Sequence, residues 1–229
     1  MVKLSGGKVN IATSEVSILV GQIILPGFLN IPDSFRCTVI FAHGSGSSRH
    51  SARNRFVADE LNRGGIATLV FDLLSEQEAM FRKNVFDIGL LSRRLLDATI
   101  WATQNLPQGG KGIGYFGAST GAAAALKAAS ESTIPIGAIV SRGGRPDMAM
   151  EYLPRITAPT LLLVGSRDYE VVELNEMAYE KLNCTKKLEL VRNATHLFEE
   201  EGALEQVADS AKKWFLEYLP SVHITGAEQ

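Results

Sequence analysis

A chain of 229 residues, 45% of them hydrophobic and 21% charged, has the apolar content for one sizeable core and is short for two. A formal net charge of −2 with both signs interspersed excludes the basic stripe that nucleic-acid binding requires, so no nucleic-acid partner is expected. Cys37 and Cys184 lie far apart with neither CxxC nor metal-ligand spacing. Met1 to Lys8 carries two lysines with no apolar signal core after it, and no stretch is long enough to span a bilayer. A soluble, cytoplasmic protein without a membrane partner is the expectation.

Val9 and Ile11, then Val16, Ile18 and Val20, alternate with polar residues. This predicts two half-buried antiparallel strands, Val9 to Glu15 and Val16 to Pro26, followed by a loop from Pro26 to Pro32. Cys37 to Ala42 is a continuous apolar run, as in a central strand covered on both faces, and it ends in His43-Gly44-Ser45-Gly46-Ser47-Ser48. Phe56, Val57 and Leu61 fall at helical spacing, and Gly64-Gly65 stops that helix. Ile66 to Phe71 is the next strand. Leu74 to Val85 has no clean period and reads as a surface loop bordering the site. Ile88, Leu91, Leu95, Ala98 and Ala102 mark a long amphipathic helix, and Pro107 to Gly112 a turn.

The apolar run from Gly114, the pentapeptide Gly117-Ala118-Ser119-Thr120-Gly121 and the alanines after it read as strand, tight turn and helix. Glycines at 117 and 121 let strand and helix approach closely, which exposes the Ser119 hydroxyl above the sheet beside the Thr120 amide. Ile136 to Val140 is a further strand, leading into Ser141-Arg142-Gly143-Gly144-Arg145-Pro146-Asp147, with room for one short helix around Asp147 to Leu153. Thr160 to Val164 precedes Gly165-Ser166-Arg167-Asp168, and a helix from Val171 to Leu182 shows Val171, Leu174, Ala178 and Leu182 on one face. Leu188 to Val191 leads to Asn193-Ala194-Thr195-His196, and Leu204, Val207, Ala208, Ala211 and Phe215 close the chain as a helix. The alternation implies an α/β fold: about eight strands, mostly parallel after an antiparallel start, with helices on both faces. Ligands of such sheets sit at the carboxyl ends of the strands.

A serine is a poor nucleophile until a base takes its proton and an acid orients that base. After Ser119 the chain supplies Asp168 and then His196, each just past a strand, whereas His223 sits in a polar tail. Asp147, past the preceding strand, is a rival acid, and Asp168 also reads as a helix-capping residue. The amides of Ser45 and Thr120 are the candidate oxyanion donors. His43 reads as a loop-structuring residue, and the absence of a Gly-Lys-Ser/Thr ending argues against a phosphate loop. Arg142 and Arg145 are candidates for binding a substrate carboxylate, or for salt bridges that order their loop.

On the segments His43 to His50, Leu69 to Leu74, Gly117 to Gly121, Val140 to Asp147, Gly165 to Asp168 and Ala194 to Phe198, the chain resembles the α/β-hydrolase superfamily over nearly its whole length. Within it, the chain is similar to the dienelactone-hydrolase-related group of small, capless serine esterases. The resemblance implies a single α/β-hydrolase domain over residues 1–229 and a serine carboxylic-ester hydrolase with Ser119, His196 and Asp168 as its triad. It implies no metal or organic cofactor. Dienelactone hydrolases proper carry a cysteine at the elbow, so Ser119 shifts the expectation to ordinary small-molecule esters. The chain is also similar to hydrolase domains fused to phosphoribosyltransferases, and no such second domain is expected here. Lactone, amide or peptide hydrolysis on the same triad, and a catalytically silent binding scaffold, are the alternative readings; a homo-oligomer is left open. The interval Arg142 to Pro159 is too short for a cap, which predicts short acyl chains of about two to six carbons, with Met80, Phe81 and Phe86 as one apolar wall.

Overall fold

In the computed structural model, which describes residues 9–107 and 112–219, the strands are β1 (Ile11–Val20), β2 (Ile23–Pro32), β3 (Cys37–Ala42), β4 (Ile66–Phe71), β5 (Gly112–Ala118), β6 (Ile136–Arg142), β7 (Thr160–Gly165) and β8 (Lys186–Val191). They form one eight-stranded sheet in the order β1-β2-β4-β3-β5-β6-β7-β8. β1 and β2 pair antiparallel, β2 pairs antiparallel with β4, and every pairing from β4 to β8 is parallel. The readings of Met1 to Lys8, of residues 108–111 in the predicted turn and of His223 lie outside the described residues.

Helices α1 (Ala52–Arg63) and α7 (Ala203–Tyr218) cover one face; α4 (Ile88–Asn105), α5 (Thr120–Glu131) and α6 (Tyr169–Lys181) cover the other. The pleat explains why the central strands are apolar throughout. In β3, Val39 and Phe41 pack toward α1 and α7 while Ile40 packs toward the opposite layer. Each such fully buried side chain stabilises the fold by about 1.5–3 kcal/mol relative to exposure. No helix among the described residues is long and apolar enough to cross a membrane.

The hairpin departs from the sequence reading. Its break falls at Gly21-Gln22, with Val20 opposite Ile23 and Gly21 at φ 61°, so Val9 to Pro26 is not two short strands. The stretch from Pro26 to Pro32 is strand and not loop: Pro26 lies opposite Ser17, the ladder with β4 begins one residue on at Gly27↔Phe71, and Pro32 is the last residue of β2. Neither proline therefore has to donate within that ladder. Leu74 to Val85 is also more ordered than a loop, holding the single-turn helices α2 (Glu76–Ala79) and α3 (Arg82–Val85), the first set by a Ser75/Glu78 capping box. Between β6 and β7 there are two 3₁₀ turns, Pro146–Ala149 and Leu153–Arg155, in place of one short helix. On α6 the buried stripe runs through Asn175, whose Nδ2 donates to the Gly144 and Val171 carbonyls, while Leu174 is only half-buried.

Candidate active site

Ser119 stands alone between β5 and α5 at φ 51° and ψ −120°, a backbone conformation that side chains other than glycine rarely adopt. Such strain costs about 1–3 kcal/mol and persists only where surrounding structure dictates it. Here the Ser119 amide donates to the Arg142 carbonyl at 3.2 Å, and its own carbonyl accepts from the amides of Ala122 (3.0 Å) and Arg145 (3.1 Å). A Cβ at Gly121 would collide with the carbonyl oxygens of Ala42 and His43, and one at Gly117 with the Ala122 backbone. The two glycines therefore allow the crossing that lifts the Ser119 hydroxyl over the carboxyl end of the sheet.

His196 follows β8 and Asp168 follows β7, and the two meet with Nδ1 of His196 2.6 Å from Oδ2 of Asp168. Asp168 occupies the N-cap position of α6 but makes no side-chain capping bond, so its carboxylate is committed to the imidazole. The rival Asp147 is engaged elsewhere, by a two-pronged bond from Nε and Nη2 of Arg145, both at 2.8 Å. With Nδ1–H donating to Asp168, Nε2 is the free basic nitrogen. It shares a cavity wall with Ser119, although among the described residues no hydrogen bond joins it to the Ser119 hydroxyl. Glu200, which the sequence reading missed, accepts from the amide (3.1 Å) and hydroxyl (2.7 Å) of Thr195 and so pins the residue before His196.

The loop after β3 is tied down by His43. Its Nδ1 lies 3.0 Å from the Gly44 carbonyl, and Nε2 accepts from the Leu73 amide at 3.1 Å, which requires a neutral ring. Burial, opposed by the Gly44 bond and by nearby Asp72, holds the His43 pKa below its ordinary value. Arg49 reinforces the tie by pairing with Asp72 through both backbone and side chain. The loop brings the Ser45 amide beside Thr120, the first residue of α5, where it donates to the Thr120 hydroxyl at 2.8 Å. The Ser45 amide, one of the two candidate oxyanion donors, is thus already occupied by the Thr120 hydroxyl.

Two cavities flank this loop. One, of about 290 Å³, is walled by Leu73, Leu74, Ala79, Val85 and Leu91 and reaches Ser45 and Thr120. Met80, Phe81 and Phe86, expected to form its wall, are instead 75%, 57% and 42% exposed and do not line it; Ala79 and Val85 take that place. The other, of about 210 Å³, is lined by Ser119, His196, Leu197, Ser47, Ser51, Arg53 and Arg142. The two arginines predicted together are thus separated: Arg145 is spent on Asp147, whereas Arg142 enters the cavity of Ser119. Arg53 carries no sequence signal, because only folding brings the start of α1 to the end of β6.

A family model described as an alpha/beta hydrolase domain matches residues 35–214. The chain belongs to the α/β-hydrolase family. This α/β-hydrolase is 50% identical to a dienelactone hydrolase from Anabaena variabilis whose crystal structure superposes with a TM-score of 0.88, over 91% of this chain and 99% of that one. Proteins from two strains of Mycobacterium tuberculosis, each named "Putative phosphoribosyl transferase", are 51% identical over 205 residues; the match spans 90% of this chain and 46% of theirs. The chain therefore spans about half the length of the curated relatives it matches. Est1E from Butyrivibrio proteoclasticus shares the fold at 17% identity, with a TM-score of 0.76 over 89% of this chain and 98% of that one.

Proposed function

We propose that this α/β-hydrolase is a serine carboxylic-ester hydrolase for small esters with short acyl chains. The observation that carries the reading is the 2.6 Å His196–Asp168 pair, set on the same cavity as a Ser119 held at positive φ. Ser119 Oγ attacks the acyl carbon while His196 Nε2 takes its proton, and the resulting oxyanion is held by the amides of Thr120 and Ser45. Collapse breaks the bond to the alcohol oxygen, which leaves with the proton from His196. Water then repeats the sequence on the acyl-enzyme, releasing the acid and restoring Ser119.

Mixing the protein with excess 4-nitrophenyl acetate tests this: the reading expects a burst of about one 4-nitrophenolate per chain before slower turnover, abolished in Ser119→Ala. A burst of the same size in Ser119→Ala would refute it. The 50% identity to a protein named as a dienelactone hydrolase favours a second reading, lactone hydrolysis on the same residues. A higher kcat/KM for a five-membered enol lactone than for the matching open-chain enol ester would favour that reading over the first. Phosphoribosyl transfer has less support, since the match spans only 46% of the relatives so named and the cleft sets a serine near a hydrogen-bonded His–Asp pair.

A further inference from the structure

Arg142 ends β6 opposite Ala118 of the nucleophile strand, and its carbonyl holds the Ser119 amide, so the backbone has no freedom to withdraw it from the site. Arg142 as a residue is only 9% exposed, yet Nε and Nη1 are buried without a hydrogen-bond partner, and the guanidinium stands 5.9 Å from the Phe198 ring centre. A desolvated guanidinium with idle donors is costly, and buried polar groups almost always find a partner. Asp168 is taken by His196 and Glu199 by Arg53 at 3.0 Å, and Glu200 turns one oxygen to Thr195 while its other makes no hydrogen bond to either arginine. Arg53 adds a further buried, unpartnered Nε to the same cavity. Burial and the nearby Arg53 pull the Arg142 pKa down to about 10, which still leaves it charged at neutral pH.

His196 must hand its proton to the leaving oxygen, and it lines the cavity of Arg142 and not the apolar cavity on the other side of the oxyanion loop. Resting on the ester-hydrolase reading, we infer that Arg142 and Arg53 form a subsite for an anionic group, a carboxylate or a phosphate monoester, borne on the alcohol portion of the substrate. The fork of Arg142 completes its hydrogen bonds on that anion, and the acyl portion lies in the apolar cavity.

The test compares kcat/KM for 4-acetoxybenzoate and for 4-acetoxyphenyl phosphate with that for neutral 4-acetoxybenzamide. The wild type should prefer at least one anion by roughly ten- to a hundred-fold, and the larger ratio identifies the source. In Arg142→Met that ratio should fall below about two-fold, with Arg142→Lys in between because a point charge lacks the fork. A thermal-shift arm needs no turnover: 4-hydroxybenzoate or phenyl phosphate should raise the Tm of the wild type, and 4-hydroxybenzamide should not. Anion-specific stabilisation in a protein that hydrolyses none of the esters would sink the esterase reading and keep the subsite. Wild-type ratios near one with no anion-specific shift would overturn the subsite, as would full preference retained in a folded Arg142→Met protein. If that variant does not fold, the wild-type ratios and shifts decide alone.

Discussion

The two cavities beside the oxyanion loop differ in how completely their own polar groups are satisfied. Along the wall of the apolar cavity, the Leu73 amide is bonded to His43 and Asp72 to Arg49. On the side of His196, buried nitrogens of Arg142 and Arg53 have no partner. A folded chain closes its buried hydrogen bonds wherever local structure can do so, and sites that break the rule are expected to be functional. The closed side can therefore contribute shape and apolar area. The open side is where the proposed anionic group would add polar recognition.

The comparison breaks most sharply at Ser119 and His196, which line the open cavity. Ser119→Ala and His196→Ala should each lower kcat roughly 10⁵-fold or more, because the members of the proposed triad would act as a unit. Asp168→Asn should cost about 10³–10⁴-fold through the wrong imidazole tautomer, and Asp147→Asn less than about ten-fold because its carboxylate faces Arg145. Steady-state kinetics on one activated ester checks all four; a larger loss in Asp147→Asn than in Asp168→Asn would reverse the assignment of the acid.

On the closed side the expected effects are smaller. Gly121→Ala forces a methyl group against the Ala42 and His43 carbonyl oxygens and should cost about 3 kcal/mol in urea unfolding. A cost near zero would mean that the elbow is not rigid. Each acyl methylene buried in the apolar cavity contributes about 0.8 kcal/mol, close to four-fold in kcat/KM, and the gain should stop by about six carbons. A rise that continues to long-chain esters, or a jump when the substrate forms an emulsion, would contradict a cavity of about 290 Å³. The smallest effect concerns pH. His43 has a folded pKa below 6.5, so below pH 6.5 the unfolded chain binds a proton that the folded chain refuses. Stability should fall as pH drops from 6.5 toward the folded pKa and be indifferent to this group above it; His43→Asn should flatten that slope in unfolding midpoints measured between pH 5.5 and 7.5.

The parallel half of the sheet was readable because each strand announces itself: β3 and β4 are buried at every position and end where the chain turns polar. The hairpin was not, because Thr13, Ser14 and Glu15 are exposed and only Val16, Ile18 and Val20 carry a period. Its register depends on the turn at Gly21 and on pairing with β4, far away in sequence. Within the site, the placement of Ser119, Asp168 and His196 just past β5, β7 and β8 was legible, since the fold converts sequence order into position along the sheet edge. Arg142 and Arg145 look alike in sequence. Only packing reveals that one finds Asp147 while the other enters the cavity of Ser119 beside Arg53.

The central claim is that Ser119 is the nucleophile, activated by His196. Labelling the native protein with a fluorophosphonate and mapping the adduct by peptide mass spectrometry tests it most directly. The account predicts one adduct per chain, located on Ser119, lost in Ser119→Ala and slowed by orders of magnitude in His196→Ala. An adduct on another residue, or undiminished labelling of Ser119→Ala, would contradict it.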